Sequence, residues 1–112
     1  MENIRIYNYN ETEELKLKNV NIGFRNSSVN IGREYSNSID ITLNGCCDYD
    51  IIKKIINLKE KVDNYYKIDM HFGNEIMSYN KLEILSFSFE YDSKNNSFSY
   101  TIGLSAKTRT PN

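Results

Sequence analysis

The residues of this 112-residue chain that could carry chemistry are few and scattered. His71 is the only histidine, which excludes a histidine-based metal cluster. Asp69, two residues earlier in an alternating stretch, falls on the same side of the chain. The two could form a fragment of an acid–base site, although most such pairs are ordinary surface neighbours. Cys46 and Cys47 precede a helix-forming stretch, and a helix N-terminus lowers a thiol pKa enough to make a nucleophile. The competing reading buries one of them at a strand-to-helix corner. Asp40, Asp48 and Asp50 fit neither an EF-hand loop nor a paired-acid arrangement. Gly23, Gly32 and Gly45 form no phosphate-binding pattern. The sequence therefore predicts no enzyme, no cofactor and no metal site.

Tyrosine is more informative. There are nine, against five phenylalanines, and Tyr7, Tyr9, Tyr35, Tyr49, Tyr65, Tyr66 and Tyr79 exceed what the core of so small a domain accommodates. A tyrosine ring excludes water while its hydroxyl finds a partner, so these residues predict an assembly or binding surface. The alternative is that half of them pack their rings on a sheet edge.

Bulk properties narrow the partners. Lys and Arg total 14 against 15 Asp and Glu, for a net charge of −1 and a pI near 5.8. Such a balance offers no basic excess for nucleic acid or an anionic membrane. Adjacent cysteines rarely bridge, and a secreted scaffold of this size carries more of them, so a reduced compartment is expected. The opening residues lack the basic and apolar blocks of a signal peptide. No apolar run approaches the roughly 20 residues of a membrane helix. A soluble protein, cytoplasmic at synthesis, is the expectation.

Alternation of period two marks the strands that must position these side chains. The longest pattern spans 82–104. Phe98, Tyr100, Ile102 and Leu104 alternate with small or polar residues, and so do Leu85, Phe87, Phe89 and Tyr91. Leu82 and Ile84 have the opposite parity, so this arm is covered on both faces or shifts phase through a bulge near Ile84 and Leu85. A turn over Asp92–Asn96 joins the arms into a long antiparallel hairpin.

Ahead of it, strands are expected over 4–9, at Leu15 and Leu17, and over Ile39–Leu43, with a turn at 10–12. A bulge near Lys18 and Asn19 would carry the second strand on through Val20, Ile22 and Phe24. Arg25–Ser28 reads as a polar turn, Val29 with Ile31 as a short return strand, and Gly32–Ser38 as an exposed loop. Asp48 is expected to cap a helix over about 48–64. Ile51, Ile55, Leu58 and Val62 form its apolar stripe, Ile52 and Ile56 widen it, and Asn64 ends it. Ile68, Met70 and Phe72 make the next strand, and Gly73 with Asn74 suits a type II′ turn. Ile76 and Met77 return to a polar corner at Ser78–Lys81. Residues 107–112 are polar and expected to form a flexible tail. The sum is one domain over 1–112: an α+β fold with a mainly antiparallel β-sheet, a partly open barrel, and one α-helix packed on it.

The succession IDITLNG (39–45), a helix, IDMHFG (68–73), LEILSFSFE (82–90) and FSYTIGL (98–104) resembles a small β-rich module of phage tails. Proteins near the tail tube and baseplate hub of contractile phages, and of related injection particles, have an I-x-L-x-G strand before a helix. They end in an I-x-S-F-x-x-E … Y-x-I-x-L hairpin. The resemblance covers about residues 39–106. It implies a structural, non-enzymatic protein that assembles as a ring, with sheet edges pairing across subunits into a continuous inner barrel. The partners it implies are further copies of the chain and other tail or baseplate proteins, with no direct nucleic-acid binding and no membrane insertion. The implied location is the cytoplasm of the producing bacterium and then the assembled particle. The stretch from Arg25 to Ser38 would be an arm reaching a neighbour through Arg33 and Tyr35, with Arg25, Tyr7 and Tyr9 as further interface candidates. The reading from a different class is a small phage-encoded inhibitor that binds a host defence protein.

Overall fold

The computed structural model describes residues 2–8, 13–32, 34–60 and 65–111, with the backbone alone described at 31, 34, 35 and 107–111. Alternating segments become β1 (Glu2–Asn8), β2 (Glu14–Lys18), β3 (Asn21–Ile31) and β4 (Glu34–Cys47). The single helix among the described residues, α1 (Tyr49–Lys59), is followed by β5 (Tyr66–Phe72), β6 (Glu75–Asp92) and β7 (Ser97–Pro111). All strands join one seven-stranded sheet in the order β2-β1-β5-β6-β7-β4-β3, and every pairing is antiparallel. This is the expected α+β architecture. The sheet does not close into a barrel, because β2 and β3, its two ends, are not paired.

β6 holds the two halves of the sheet together. Its first part pairs with β5 up to Leu82, and its second, Glu83–Asp92, pairs with β7 on the opposite flank. Lys81, at φ +55°, and a bulge at Leu85 bracket the change of partner. Phe24 on β3 and Tyr79 on β6 are separated by β7 and β4 in the strand order, yet their ring centroids lie 5.6 Å apart. The sheet therefore folds back across its own core. Asn3 ties down the link between the two ends of the sheet: its Nδ2 donates to the Val20 carbonyl and its Oδ1 accepts from the Val20 N–H, both at 3.0 Å.

One core fills the interior. Ile4 and Ile6, Leu15 and Leu17, Ile41 and Leu43, Ile68 and Met70, and Ile102 and Leu104 all turn inward, each pair at the two-residue spacing of its strand. Helix α1 adds Ile52, Ile55 and Leu58. Burying a side chain of this size stabilises the fold by roughly 1.5–3 kcal/mol relative to leaving it in water. That gain overrides the modest helix propensity of the β-branched isoleucines. Asp48 caps the helix as expected, accepting from the Ile51 N–H at 3.1 Å.

Several expectations give way to longer strands. Asn19, at φ +52°, breaks the anticipated bulged strand, so Leu15–Leu17 and Ile22–Phe24 belong to different strands. Arg25–Ser28 is no turn, because it lies inside β3 with a partner in β4 at every position. Glu34–Ser38 is likewise strand and not loop. Ser78–Lys81 continues β6 without a corner. Residues 107–111, expected as a flexible tail, extend β7 along Glu34–Ser38 of β4. The apolar stripe of α1 centres on Ile52 and Ile55, with Ile51 and Ile56 only half-buried. The helix, expected to run to Asn64, ends at Lys59 with Glu60 as its C-cap, and the 10–12 turn and Val62 lie outside the described residues.

Candidate assembly surface

The half of the sheet running β6-β7-β4-β3 has two faces of opposite character. Ile84, Phe87, Phe89 and Tyr91 of β6 share the inner face with Phe98, Tyr100, Ile102 and Leu104 of β7. On β4 and β3 the same face carries Ile41 and Leu43, then Ile22 and Phe24. The outer face carries Ser86, Ser88 and Glu90, then Ser99, Thr101 and Gly103, then Thr42 and Asn44, then Gly23 and Arg25. Its small polar groups bond among themselves: Thr101 Oγ1 donates to Asn44 Oδ1 at 2.7 Å, and the Ser27 and Ser38 hydroxyls lie 2.9 Å apart.

The inner face is only partly covered. Helix α1 begins at Tyr49, whose ring stacks on Phe98 with centroids 6.0 Å apart. Beyond that point Phe98 meets Tyr91 at 4.9 Å and Phe89 at 5.8 Å, and Phe89 meets Phe87 at 5.6 Å. Tyr49 remains 59% exposed, Tyr91 52% and Phe89 45%. A contiguous aromatic patch thus lies on the Glu83–Asp92 margin of β6. No strand pairs with the flank of that margin away from β7 among the described residues. At the other margin, β3 pairs only with β4 among the described residues and runs without a bulge. Its one charged residue is Arg25, it contains no proline, and Phe24 and Val29 on it are 43% and 50% exposed. By contrast β2, at the far end of the sheet, is short and carries Glu14, Lys16 and Lys18, which blunt it.

The interface candidates fall in separate places. Arg25 is exposed on β3, opposite Asp40. Tyr35 lies in β4 between Asn30 and Thr110, described by its backbone alone. Arg33 and Tyr9 lie outside the described residues. Tyr7 is half-buried on β1, in the other half of the sheet, and is engaged within its own chain. The Arg5 guanidinium sits 3.9 Å above its ring, and its hydroxyl donates to Asp69 Oδ1 at 3.4 Å. Tyr66, counted above among surface tyrosines, is buried, and its hydroxyl donates to the Leu58 carbonyl at 3.2 Å.

The candidate chemical groups do not converge. Asp69 accepts from Ser78 Oγ at 2.7 Å and lies 3.8 Å from Arg5, which also pairs with Glu14. His71 is exposed opposite Ile76 at the far end of β5. Cys46 is exposed and Cys47 half-buried, and both are free thiols. Burial, then the Asp48 carboxylate, then Cys46 push the Cys47 thiol up to about 11, so it stays protonated at neutral pH. The helix N-terminus does not make it the activated thiolate that its position suggests. Burial, with Cys47 and then Cys46 adding to it, likewise raises the Tyr100 hydroxyl to about 12. Among the described residues no cluster of His, Cys, Asp and Glu could hold a metal ion, and no helix is long and apolar enough to cross a membrane.

Compared with known protein families and with curated proteins, the chain matches no family model and no curated protein.

Proposed function

We propose that this chain is a structural subunit that assembles as a ring in the tube or baseplate-hub region of a phage tail or phage-tail-like injection particle. The particle is proposed on the resemblance of residues 39–106 to tail modules. The ring is proposed on one observation: the sheet half β6-β7-β4-β3 has two open margins that run antiparallel to each other. An even number of alternating strands has this property, and it lets a copy related by rotation continue the alternation. Repeating the rotation until it closes satisfies the backbone N–H and C=O groups of both margins, which an isolated subunit leaves to water. The long, unbulged, nearly uncharged β3 supports the same reading, since a monomer blunts such an edge.

Light scattering coupled to size exclusion across a concentration series tests this, with electron microscopy of the largest species. Annular multimers are the expected result, and co-expressed tail proteins are expected to co-purify. A chain that stays monomeric throughout and recovers one host effector instead would replace this reading with that of an inhibitor.

A further inference from the structure

We infer that the β3 margin of one copy seats on the aromatic margin of β6 in the next, with Phe24 opposite Phe89 and Arg25 beside Glu90. This rests on the ring reading and specifies its contact. Asn21–Ser27 of β3 and Ser86–Asp92 of β6 are stretches of equal length, both clear of the Leu85 bulge. They run antiparallel in rotation-related copies.

Face and register select one alignment. Directly opposed residues must share a face, so the inner-face Ile22, Phe24 and Asn26 meet the inner-face Phe87, Phe89 and Tyr91. With Phe24 opposite Phe89, Ile22 lies against Tyr91 and Asn26 against the half-buried Phe87. The two most exposed rings of the β6 margin are then covered by the two apolar side chains on the inner face of β3, Ile22 and Phe24. Sliding β3 by two residues one way leaves Tyr91 bare and sets Asn26 against the bulge. Sliding it the other way sets Asn26 against Phe89 and pushes Ile22 past the end of β6.

Charge agrees with the chosen alignment. On the outer face Arg25 falls opposite Ser88, and Glu90 lies on the diagonal, within reach of a long side chain. Gly23 stands opposite Glu90 and offers no side chain to block that approach. Arg25, already opposite Asp40 in its own chain, would thus be flanked by carboxylates on both sides. A two-fold pairing of β3 with β3 leaves the aromatic margin in water and brings no carboxylate from β6 to Arg25.

Charge exchange and cross-linking test the contact in the full chain. Arg25→Glu and Glu90→Arg should each raise the concentration needed for half-maximal assembly by about tenfold, the equivalent of one interfacial charge contact. The double exchange should restore most of it. In a Cys46→Ser, Cys47→Ser background, Phe24→Cys with Phe89→Cys should oxidise to a covalent ladder, and neither single substitution should. Efficient cross-linking by Phe24→Cys alone, or multimers that form normally while the double variant does not cross-link, would overturn this contact and leave the ring standing. A parent chain that is monomeric at every concentration would overturn both.

Discussion

Gly45 lies directly opposite Tyr100 in the β4–β7 ladder, and a Cβ on Gly45 would stand 2.6 Å from the Tyr100 hydroxyl oxygen. The glycine is required by close approach and not by a turn. Tyr100 is 3% exposed and its hydroxyl has no hydrogen-bond partner, so the ring cannot move outward without opening the core. Gly45→Ala should therefore cost about 1–3 kcal/mol through overpacking. Tyr100→Phe removes an unsatisfied buried hydroxyl and should be neutral or stabilising by up to about 1 kcal/mol. Combining them should recover part of the loss, because the clashing atom is gone. Urea denaturation of the four proteins reads this cycle, and strict additivity would contradict the contact.

The same corner makes stability fall at high pH. Cys47 ionises near 9.0 in an unconstrained chain and at about 11 in the fold, and Tyr100 goes from 10.0 to about 12. Both groups are neutral when protonated, and the unfolded chain gives up these protons first. The stability tied to them is complete below pH 9 and is lost as pH rises through the folded values. Denaturation midpoints should thus decline between pH 9 and 12, and Cys47→Ser should flatten the lower part of that window. At pH 8, iodoacetamide followed by mass spectrometry should label exposed Cys46 well ahead of Cys47. Equal rates would show that burial does not hold back the second thiol.

Asn3 is the next place where one side chain carries a structural relationship. Its amide satisfies both backbone groups of Val20, next to the point where the chain passes from β2, at one end of the sheet, to β3 at the other. Asn3→Ala leaves the N–H and C=O of a buried residue without these bonds, at a cost of about 1–3 kcal/mol. Asn3→Asp keeps the acceptor but sets a carboxylate against the Val20 carbonyl, so it should be no better at neutral pH. Hydrogen exchange at Val20 should accelerate in both variants. An unchanged rate would mean that the packing around Val20 holds the link unaided.

The long hairpin and the helix are legible in the sequence because their signals are local. Phe98–Leu104 alternates without interruption, and Asp92 organises its own turn by accepting from the Lys94 N–H at 3.0 Å. Asp48 and the isoleucine spacing likewise need no distant partner to be read. β3 is the opposite case. Asn26, Ser27 and Ser28 are turn-forming types, yet each is held in a ladder by Ile39, Ser38 and Asn37 of β4, and pairing with a distant strand overrides local preference. The aromatic margin is half legible: alternation sets Phe89 and Tyr91 on the apolar face, but not that α1 starts at Tyr49 and leaves them exposed. Of the two charges in the proposed contact, Arg25 is an interface candidate from the resemblance, whereas Glu90, on the opposite margin of the same sheet half, carries no local mark.

Ser78–Lys81 is misread for a related reason, and the reason makes a prediction. The polar run suggests a corner, but the chain stays in strand and absorbs one extra residue of β6 in a bulge at Asn80 and Lys81 opposite Lys67, with Lys81 at φ +55°. A residue with a Cβ is disfavoured there by roughly 1–2 kcal/mol, and glycine escapes that penalty. Lys81→Gly should therefore be neutral or stabilising by up to about 1 kcal/mol, after the loss of backbone freedom that glycine suffers on folding. Lys81→Val, with a branched side chain in the same conformation, should cost about 1–2 kcal/mol more than the parent. Because β5 pairs with β6 up to Leu82 and β7 takes over from Glu83, Lys81→Val should also speed hydrogen exchange at Leu82 and Ile84. If Lys81→Gly instead destabilises the chain as much as Lys81→Val, the left-handed residue is not what lets β6 change partners.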